Sequence, residues 1–313
     1  MLVGRNASGK STVLDALFIG AFHVPSEAVG RVVRRRRGQD GPQAGRWLLW
    51  KSGNEGETWI EVTSPAQYAR CVRLKSQPPN VLQVVPEDTD LGVADLNNPH
   101  EAHLVPTSVV FGSQGVFTAS PVSQPFPGAT EVHLVDPGRN GAAPLHRLYS
   151  RAVEKGRKAA VREMVSALVA EVQDLEILTE EDEPVLYLVM EDHAVPAALA
   201  GDGLHTLLTL ALELGIRSDG VVLLEEPEVH QHPGGLRQSA RAVWAAIDRG
   251  VQVVISTHSI ELIDMLLVEA PDKGFDRLSL YRLALDSTGE LRSSRLGGPQ
   301  IAAARLEIED DLR

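Results

Sequence analysis

The sequence predicts an α/β fold with a mixed, mainly parallel sheet, and three observations carry that prediction. Two apolar runs, at 221–224 and 251–255, are separated by a helical stretch over about 235–249. Strand–helix–strand is the crossover that joins parallel neighbours, because a tight turn cannot. Between Trp47 and about Val85, short alternating segments separated by turn residues read instead as an antiparallel meander. At the front, Met1-Leu2-Val3 ends an apolar strand, residues 4–12 form a glycine-bounded loop, and a helix follows.

That first helix sets Val13, Leu14, Ala16 and Leu17 on one face, and Pro25 marks its latest end. Five arginines fall between Arg31 and Arg37, after which Gly38, Gly41 and Gly45 break the chain. The meander strands are Trp47-Leu48-Leu49-Trp50, Thr58-Trp59-Ile60-Glu61-Val62 and Cys71-Val72-Arg73-Leu74, and the turn-rich 52–56 joins the first two. Residues 86–108, with Pro86, Pro99 and Pro106, read as an irregular surface excursion. Ser108-Val109-Val110-Phe111 is a short buried strand running into Gly112-Ser113-Gln114-Gly115, and Pro121, Pro125 and Pro127 exclude a helix beyond it. Leu145, Leu148, Val153, Ala160, Met164, Leu168 and Val172 recur at helical spacing, broken near Gly156, and predict two helices. A strand over 185–190, a Leu/Ala-rich helix over 204–214 and closing strands at 278–283 and 291–292 complete the reading.

The chain has 313 residues, 43% hydrophobic and 23% charged, enough apolar mass for one large α/β unit or two domains. Against 42 acidic residues stand 30 Lys and Arg, a net charge of −12, so the surface as a whole does not suit nucleic acid, although a local basic groove does. The single cysteine, Cys71, fits a reducing cytoplasm. No apolar run approaches the ~18 residues of a membrane span and no signal peptide opens the chain, so no membrane partner is expected.

Gly4-Arg5-Asn6-Ala7-Ser8-Gly9-Lys10-Ser11 satisfies G-x-x-x-x-G-K-[ST]. Gly4 and Gly9 let the backbone wrap so that its N–H groups meet phosphate oxygens, and the following helix adds the positive end of its dipole. Lys10 supplies a charge for the β- and γ-phosphates, and the Ser11 hydroxyl ligates Mg²⁺. Downstream, Val221-Val222-Leu223-Leu224 runs into Glu225-Glu226-Pro227-Glu228. Carboxylates at a strand's C-terminal end lie where an α/β sheet presents its ligand site. Glu225 is assigned to the magnesium through water, and Glu226 to the attacking water as general base. Val253-Val254-Ile255-Ser256-Thr257-His258-Ser259 places His258 at the same sheet edge, able to donate to the γ-phosphate.

These pieces, in this order, resemble the ABC-type P-loop ATPases, in the SMC/RecF/OLD-like branch. The phosphate loop with Asn6, Thr12 and Val13-Leu14-Asp15-Ala16-Leu17, the run Leu223-Leu224-Glu225-Glu226-Pro227-Glu228-Val229-His230-Gln231-His232-Pro233, and Ser256-Thr257-His258-Ser259 carry the likeness, strongest over 1–20 and 199–265. The resemblance implies a P-loop NTPase fold of the ABC-type ATPase head, with a helical signature lobe. It divides the chain into 1–112, holding the phosphate loop and the antiparallel part; 113–200, the helical lobe; and 201–313, with the signature helix, acidic site and switch histidine. It also implies ATP with Mg²⁺, and a homodimer that sandwiches ATP, each site completed by the other copy's signature segment. Gly201-Asp202-Gly203 stands where that segment belongs, Gly201 in place of the usual serine and Asp202 in place of a glycine. The magnesium-sensing glutamine of the family is assigned to Gln114, with Gln124 as competitor. The family places strands before the phosphate loop that help hold the adenine, whereas this sequence begins three residues before Gly4. Either the start is misassigned or the base is held loosely and the sheet has an unpaired edge, and ATP rather than GTP rests on the likeness alone.

The arginine cluster reads either as a phosphate-tracking patch for DNA or RNA or as a solvated basic edge. Trp47, Trp50 and Trp59 read as core or interface, and His100 and His103 have no acid or cysteine at metal-ligand spacing. No D-x-D pair follows Ser259, so a nuclease step is expected of a separate effector protein. The expected activity is an ATP-hydrolysing switch in DNA maintenance or phage defence. The alternatives are an assembly scaffold with negligible hydrolysis and, behind it, a transporter subunit.

Overall fold

The structure is a computed structural model describing residues 1–36, 44–49, 56–64, 68–77, 80–88, 106–112, 115–119, 131–136, 144–271, 274–308 and 310–312. In chain order the elements are β1 (Leu2–Val3), α1 (Lys10–Ala21), α2 (Pro25–Arg35), β2 (Glu57–Ser64), β3 (Tyr68–Gln77), β4 (Val81–Asp88), β5 (Thr107–Gly112), β6 (Gly115–Ala119) and β7 (Val132–Val135). There follow α3 (Leu145–Glu154), α4 (Lys158–Ser166), β8 (Asp174–Glu180), β9 (Glu183–Val189), β10 (Ala194–Pro196), α5 (Asp202–Gly215), β11 (Val221–Glu225), α6 (Pro233–Asp248), β12 (Gln252–Ser256), α7 (Ile260–Val268), β13 (Ser279–Leu285), β14 (Leu291–Gly297) and α8 (Gly298–Ala302). They fall into two compact units, one of residues 1–11 with 134–313, the other of residues 12–133.

In the first unit the main sheet runs β14-β13-β1-β12-β11-β7. β1 pairs parallel with both β12 and β13, and β12 pairs parallel with β11 over Val221 to Glu225. Val222, Leu223 and Leu224 are wholly buried, the continuous apolar run of a strand covered on both faces. The expected crossover is present, with α6 between β11 and β12. β14 returns antiparallel along β13, which makes the sheet mixed. A second sheet, β10-β9-β8, is antiparallel. Helix α5 buries apolar side chains on more than one face because it serves two cores: Leu204, Leu207, Leu208 and Leu212 pack with α3, α4, β8 and β9, while Leu210 and Leu214 join β11, β12 and α6.

The second unit is the expected meander, extended to five antiparallel strands in the order β2-β3-β4-β5-β6. Gly20 lets α1 come close to β2, since a Cβ there would sit 2.8 Å from the Ile60 methyl.

Two local expectations are corrected, and one helix is added. Trp47-Leu48-Leu49-Trp50 is not a strand: residues Ala44–Leu48 make a 3-10 turn with Trp47 exposed, and Trp50 lies outside the described residues. Gly45 in that turn packs on the Phe111 ring, which a strand of alternating side chains would not allow. α1 ends at Ala21, within the limit set by Pro25, and Pro25 has a second role. It opens α2 at the first helical position, where its missing N–H costs nothing. Residues 86–88 and 107–108, read as surface excursion, lie in β4 and β5.

The end of α2 also accounts for part of the arginine cluster. Arg35 and Arg36 both bind the carboxylate of Asp15 on α1, through Nε at 3.1 and 2.9 Å and through their terminal nitrogens. Asp15 is only 4% exposed, so this is a buried anion held between two cations. Asp15→Ala leaves those guanidiniums without their anion, and the loss expected is about 3 kcal/mol, the low end of the range for a buried pair because Arg36 is partly solvated. Urea denaturation checks this.

Candidate functional site

The phosphate-loop sequence folds as a tight reversal between β1 and α1. Gly4 has φ +147° and Gly9 φ +90°, and between them Ala7, without a glycine's freedom, has φ +61°. A Cβ on Gly4 would collide with the carbonyl oxygen of Leu283, so only glycine lets the loop lie against β13. Such alternation gathers successive backbone N–H groups into an anion-binding concavity. Arg5, Asn6 and Ala7 are exposed, whereas Ser8 and Lys10 are buried. Lys10 is 5% exposed, and its Nζ donates to the carbonyls of Gly4 at 3.0 Å and Arg5 at 3.2 Å. Ser11 and Thr12 follow in the first turn of α1, Ser11 half-buried and Thr12 exposed.

The acidic segment leaves β11 at Glu225, which is buried at the register position of Ser256. Glu226 then turns the chain with φ +44°, and its N–H donates to the Ser256 carbonyl at 2.9 Å. A non-glycine residue in the left-handed region is strained by about 1–2 kcal/mol, and such strain clusters at working sites. Gln231 ties the turn, donating from Nε2 to the Pro227 carbonyl at 2.8 Å and accepting from Ser239 at 2.8 Å. His232 and Pro233 then open α6.

β12 ends beside this turn. Thr257 is fully buried, its N–H donating to the Leu2 carbonyl at 3.0 Å, and Ser259 caps α7 by accepting from the Leu262 N–H at 3.0 Å. His258 sits between them with its Nε2 3.7 Å from Glu226 Oε1. The three loops thus leave the C-terminal ends of β1, β12 and β11, which are adjacent, mutually parallel strands of the mixed sheet. Burial pulls the Lys10 ammonium below its ordinary range, opposed by the charges of Glu226, Glu228 and Glu225. The lysine and the acids therefore share one electrostatic site.

The chemistry of this donor set fits a magnesium-bound phosphate chain. It offers one cation, a hydroxyl one residue on, and carboxylates opposite. Three buried polar atoms in the three loops have no hydrogen-bond partner among the described residues: Ser8 Oγ, Ser256 Oγ and Glu228 Oε2. Such groups are costly unless a ligand or water satisfies them.

Sequence reasoning quoted Glu228 but gave it no role. Its Oε1 accepts from the Thr257 hydroxyl at 2.7 Å and from the His258 N–H at 2.9 Å, so it fastens the histidine loop to the acidic turn. The available signal was the second acid of Glu-Pro-Glu, three residues after the strand.

Gly201, Asp202 and Gly203 begin α5. Gly201 has φ +88°, Asp202 is exposed in the first turn, and a Cβ on Gly203 would lie 2.7 Å from the His230 carbonyl oxygen. Through that contact the start of α5 lies beside the acidic segment at His230. Gln114, Gln124, His100, His103 and Arg37 lie outside the described residues. Arg31 pairs with Glu27 and stacks on Phe22, and Arg35 and Arg36 hold Asp15, which leaves less of the arginine cluster for phosphates than its count suggests. Trp59 is exposed on β2 with the Arg73 guanidinium 5.1 Å from its ring. No described helix is long and apolar enough to cross a membrane.

A family model described as "AAA domain, putative AbiEii toxin, Type IV TA system" matches residues 126–264, a span that holds Gly201 to Gly203, Glu225, Glu226 and His258. A protein of Methanocaldococcus jannaschii, "Uncharacterized protein MJECL11", is 33% identical over 82 residues, covering 26% of this chain and 72% of that protein. Solved structures similar to this chain include an Smc head bound to the C-winged helix domain of ScpA, at TM-score 0.48 and 14% identity, covering 95% of this chain and 89% of that one. The SMC head domain from Thermotoga maritima gives TM-score 0.41 at 13% identity, with 95% and 88% covered. An Smc head domain with an extended coiled coil, in a complex derived from Pyrococcus furiosus, gives 0.46 at 12%, with 99% and 92% covered.

Proposed function

We propose that this chain, which belongs to the same family as the Methanocaldococcus jannaschii protein, is a P-loop ATPase that binds ATP with Mg²⁺, hydrolyses it, and dimerises as it does so. The observation that supports this most is the meeting of a phosphate loop, an acid pair and a Ser-Thr-His turn at the ends of β1, β11 and β12.

Lys10 exchanges the Gly4 and Arg5 carbonyls for phosphate oxygens, a stronger, charge-assisted pairing. Ser11, and Glu225 through water, hold Mg²⁺, which neutralises charge on the phosphate oxygens. Gln114 is assigned to the same ion. Glu226, 41% exposed and so within reach of solvent, takes the proton of the attacking water. His258, beside it, donates to the γ-phosphate and registers its loss. Asn6, Gly9 and Thr12 belong to the same phosphate-binding loop and first turn. Gly201, Asp202 and Gly203 of a second copy complete the site, the dipole of their helix directed at the γ-phosphate.

In this reading the cycle of dimer formation and release regulates a separate, nuclease-like effector acting on DNA or RNA in the cytoplasm, in DNA maintenance or phage defence. The test is phosphate release from Mg²⁺-ATP with and without DNA. Turnover that Mg²⁺ removal abolishes supports the proposal, whereas tight ATP binding with no turnover in either arm favours an assembly scaffold.

Glu228 acts here as a positioning residue. Glu228→Ala is expected to lower kcat about tenfold with KM within about twofold, because it frees His258 without touching phosphate contacts. Glu228→Gln keeps an acceptor oxygen and should restore most of the rate. Steady-state kinetics of the two variants check this.

A further inference from the structure

The sheet order gives the bound nucleotide a direction. β12 and β11, with the histidine and the acids, lie on one side of β1, and β13 and β14 lie on the other. A triphosphate whose γ end meets Glu226 and His258 carries its sugar and base away from them, past the phosphate loop and toward the β13–β14 hairpin. There the surface is aliphatic. Leu291, the first residue of β14, is 42% exposed, and its cross-strand neighbour Leu285 is 49% exposed. Directly opposed residues of an antiparallel pair present their side chains to the same face. Leu291 also touches the loop itself, since a Cβ on Gly9 would lie 3.4 Å from its Cδ1. The loop is seated on this hairpin at its other end as well, with Gly4 packed against the Leu283 carbonyl.

The polar groups of the hairpin turn are engaged with one another. Asp286 Oδ1 accepts from the Thr288 N–H and hydroxyl and the Glu290 N–H, and Arg292 pairs with Asp286 and Glu290. They are therefore not set to read the edge of a base.

We propose that Leu291 and Leu285 form the seat of the nucleotide's purine base, which is held by apolar contact and not by hydrogen bonds to its edge. This rests on the phosphate-loop reading above. An apolar seat discriminates weakly among bases of one size, so ATP and GTP bind with affinities within about tenfold of each other.

The test titrates the full chain, and its Leu291→Ala and Leu285→Ala variants, with Mg²⁺-ATP, Mg²⁺-GTP and Mg²⁺-tripolyphosphate, the last carrying the phosphates without a base. The expected result is a loss of about fivefold to tenfold for both nucleotides in Leu291→Ala, a smaller loss in Leu285→Ala, and no change for tripolyphosphate. Both side chains are exposed, so neither variant endangers the fold. Nucleotide affinity unchanged in both variants, or ATP favoured over GTP by a hundredfold or more, overturns the seat while leaving the phosphate loop intact. Absence of binding by tripolyphosphate and nucleotides alike overturns the phosphate-loop reading, and the seat with it.

Discussion

Glu226→Gln is expected to slow phosphate release from Mg²⁺-ATP by at least about a hundredfold and to accumulate an ATP-bound dimer. The substitution is isosteric and keeps the backbone where it is, with its N–H on Ser256 and its φ at +44°. What it removes is the carboxylate 3.7 Å from His258 Nε2, the group assigned to accept the proton. Nucleotide affinity should hold within about threefold, because Lys10 and the loop backbone carry the phosphate contacts. Light scattering with ATP should show dimer in the variant where the parent has returned to monomer. Glu226→Gly separates chemistry from structure further. Glycine relieves the left-handed strain, so that variant should unfold at a higher urea concentration, by about 1 kcal/mol, while hydrolysing no better than the glutamine form. A parental rate in Glu226→Gln would assign the base elsewhere.

Much of the fold was legible because the parallel core repeats one device. Apolar runs ending in polar stops, at Val3, Leu224 and Ile255, gave β1, β11 and β12, and the shared polarity of those strands brings their stops to one edge. The phosphate loop was legible for a related reason: Gly4 and Gly9 stand where the backbone takes φ values that other residues avoid. Ala7, at φ +61°, carried no such signal. α2 was hidden because Pro25 serves equally as an ending and as a first helical residue, and only the burial of Ala28, Val29, Val32 and Val33 decides it. β8 was hidden because only its second residue, Leu175, is buried, so an exposed hairpin arm shows little periodicity. Glu228 was missed because its work depends on two hydrogen bonds to a segment some thirty residues away, which no local pattern records. Asp15 was quoted only as part of a helix, although it anchors two of the arginines that suggested a nucleic-acid patch.

The second large effect is expected at Lys10. Its ammonium is buried against two carbonyls and shares its surroundings with the charges of three glutamates, so the chain places a cation where phosphate oxygens are expected. Removing the charge takes away the cation that offsets these acids, and their repulsion of a polyanion then adds to the lost hydrogen bonds. Ser11 and Glu225 would hold a magnesium ion that offsets part of this negative charge, so chelating the metal should weaken ATP binding in the parent.

Calorimetric titration of Mg²⁺-ATP into the parent chain and into Lys10→Ala tests the central claim most directly. Saturable binding in the parent, weakened by at least about a hundredfold in the variant, is the predicted result. Equal affinity in the two proteins would mean that the triphosphate does not lie among Lys10, Glu225, Glu226 and His258.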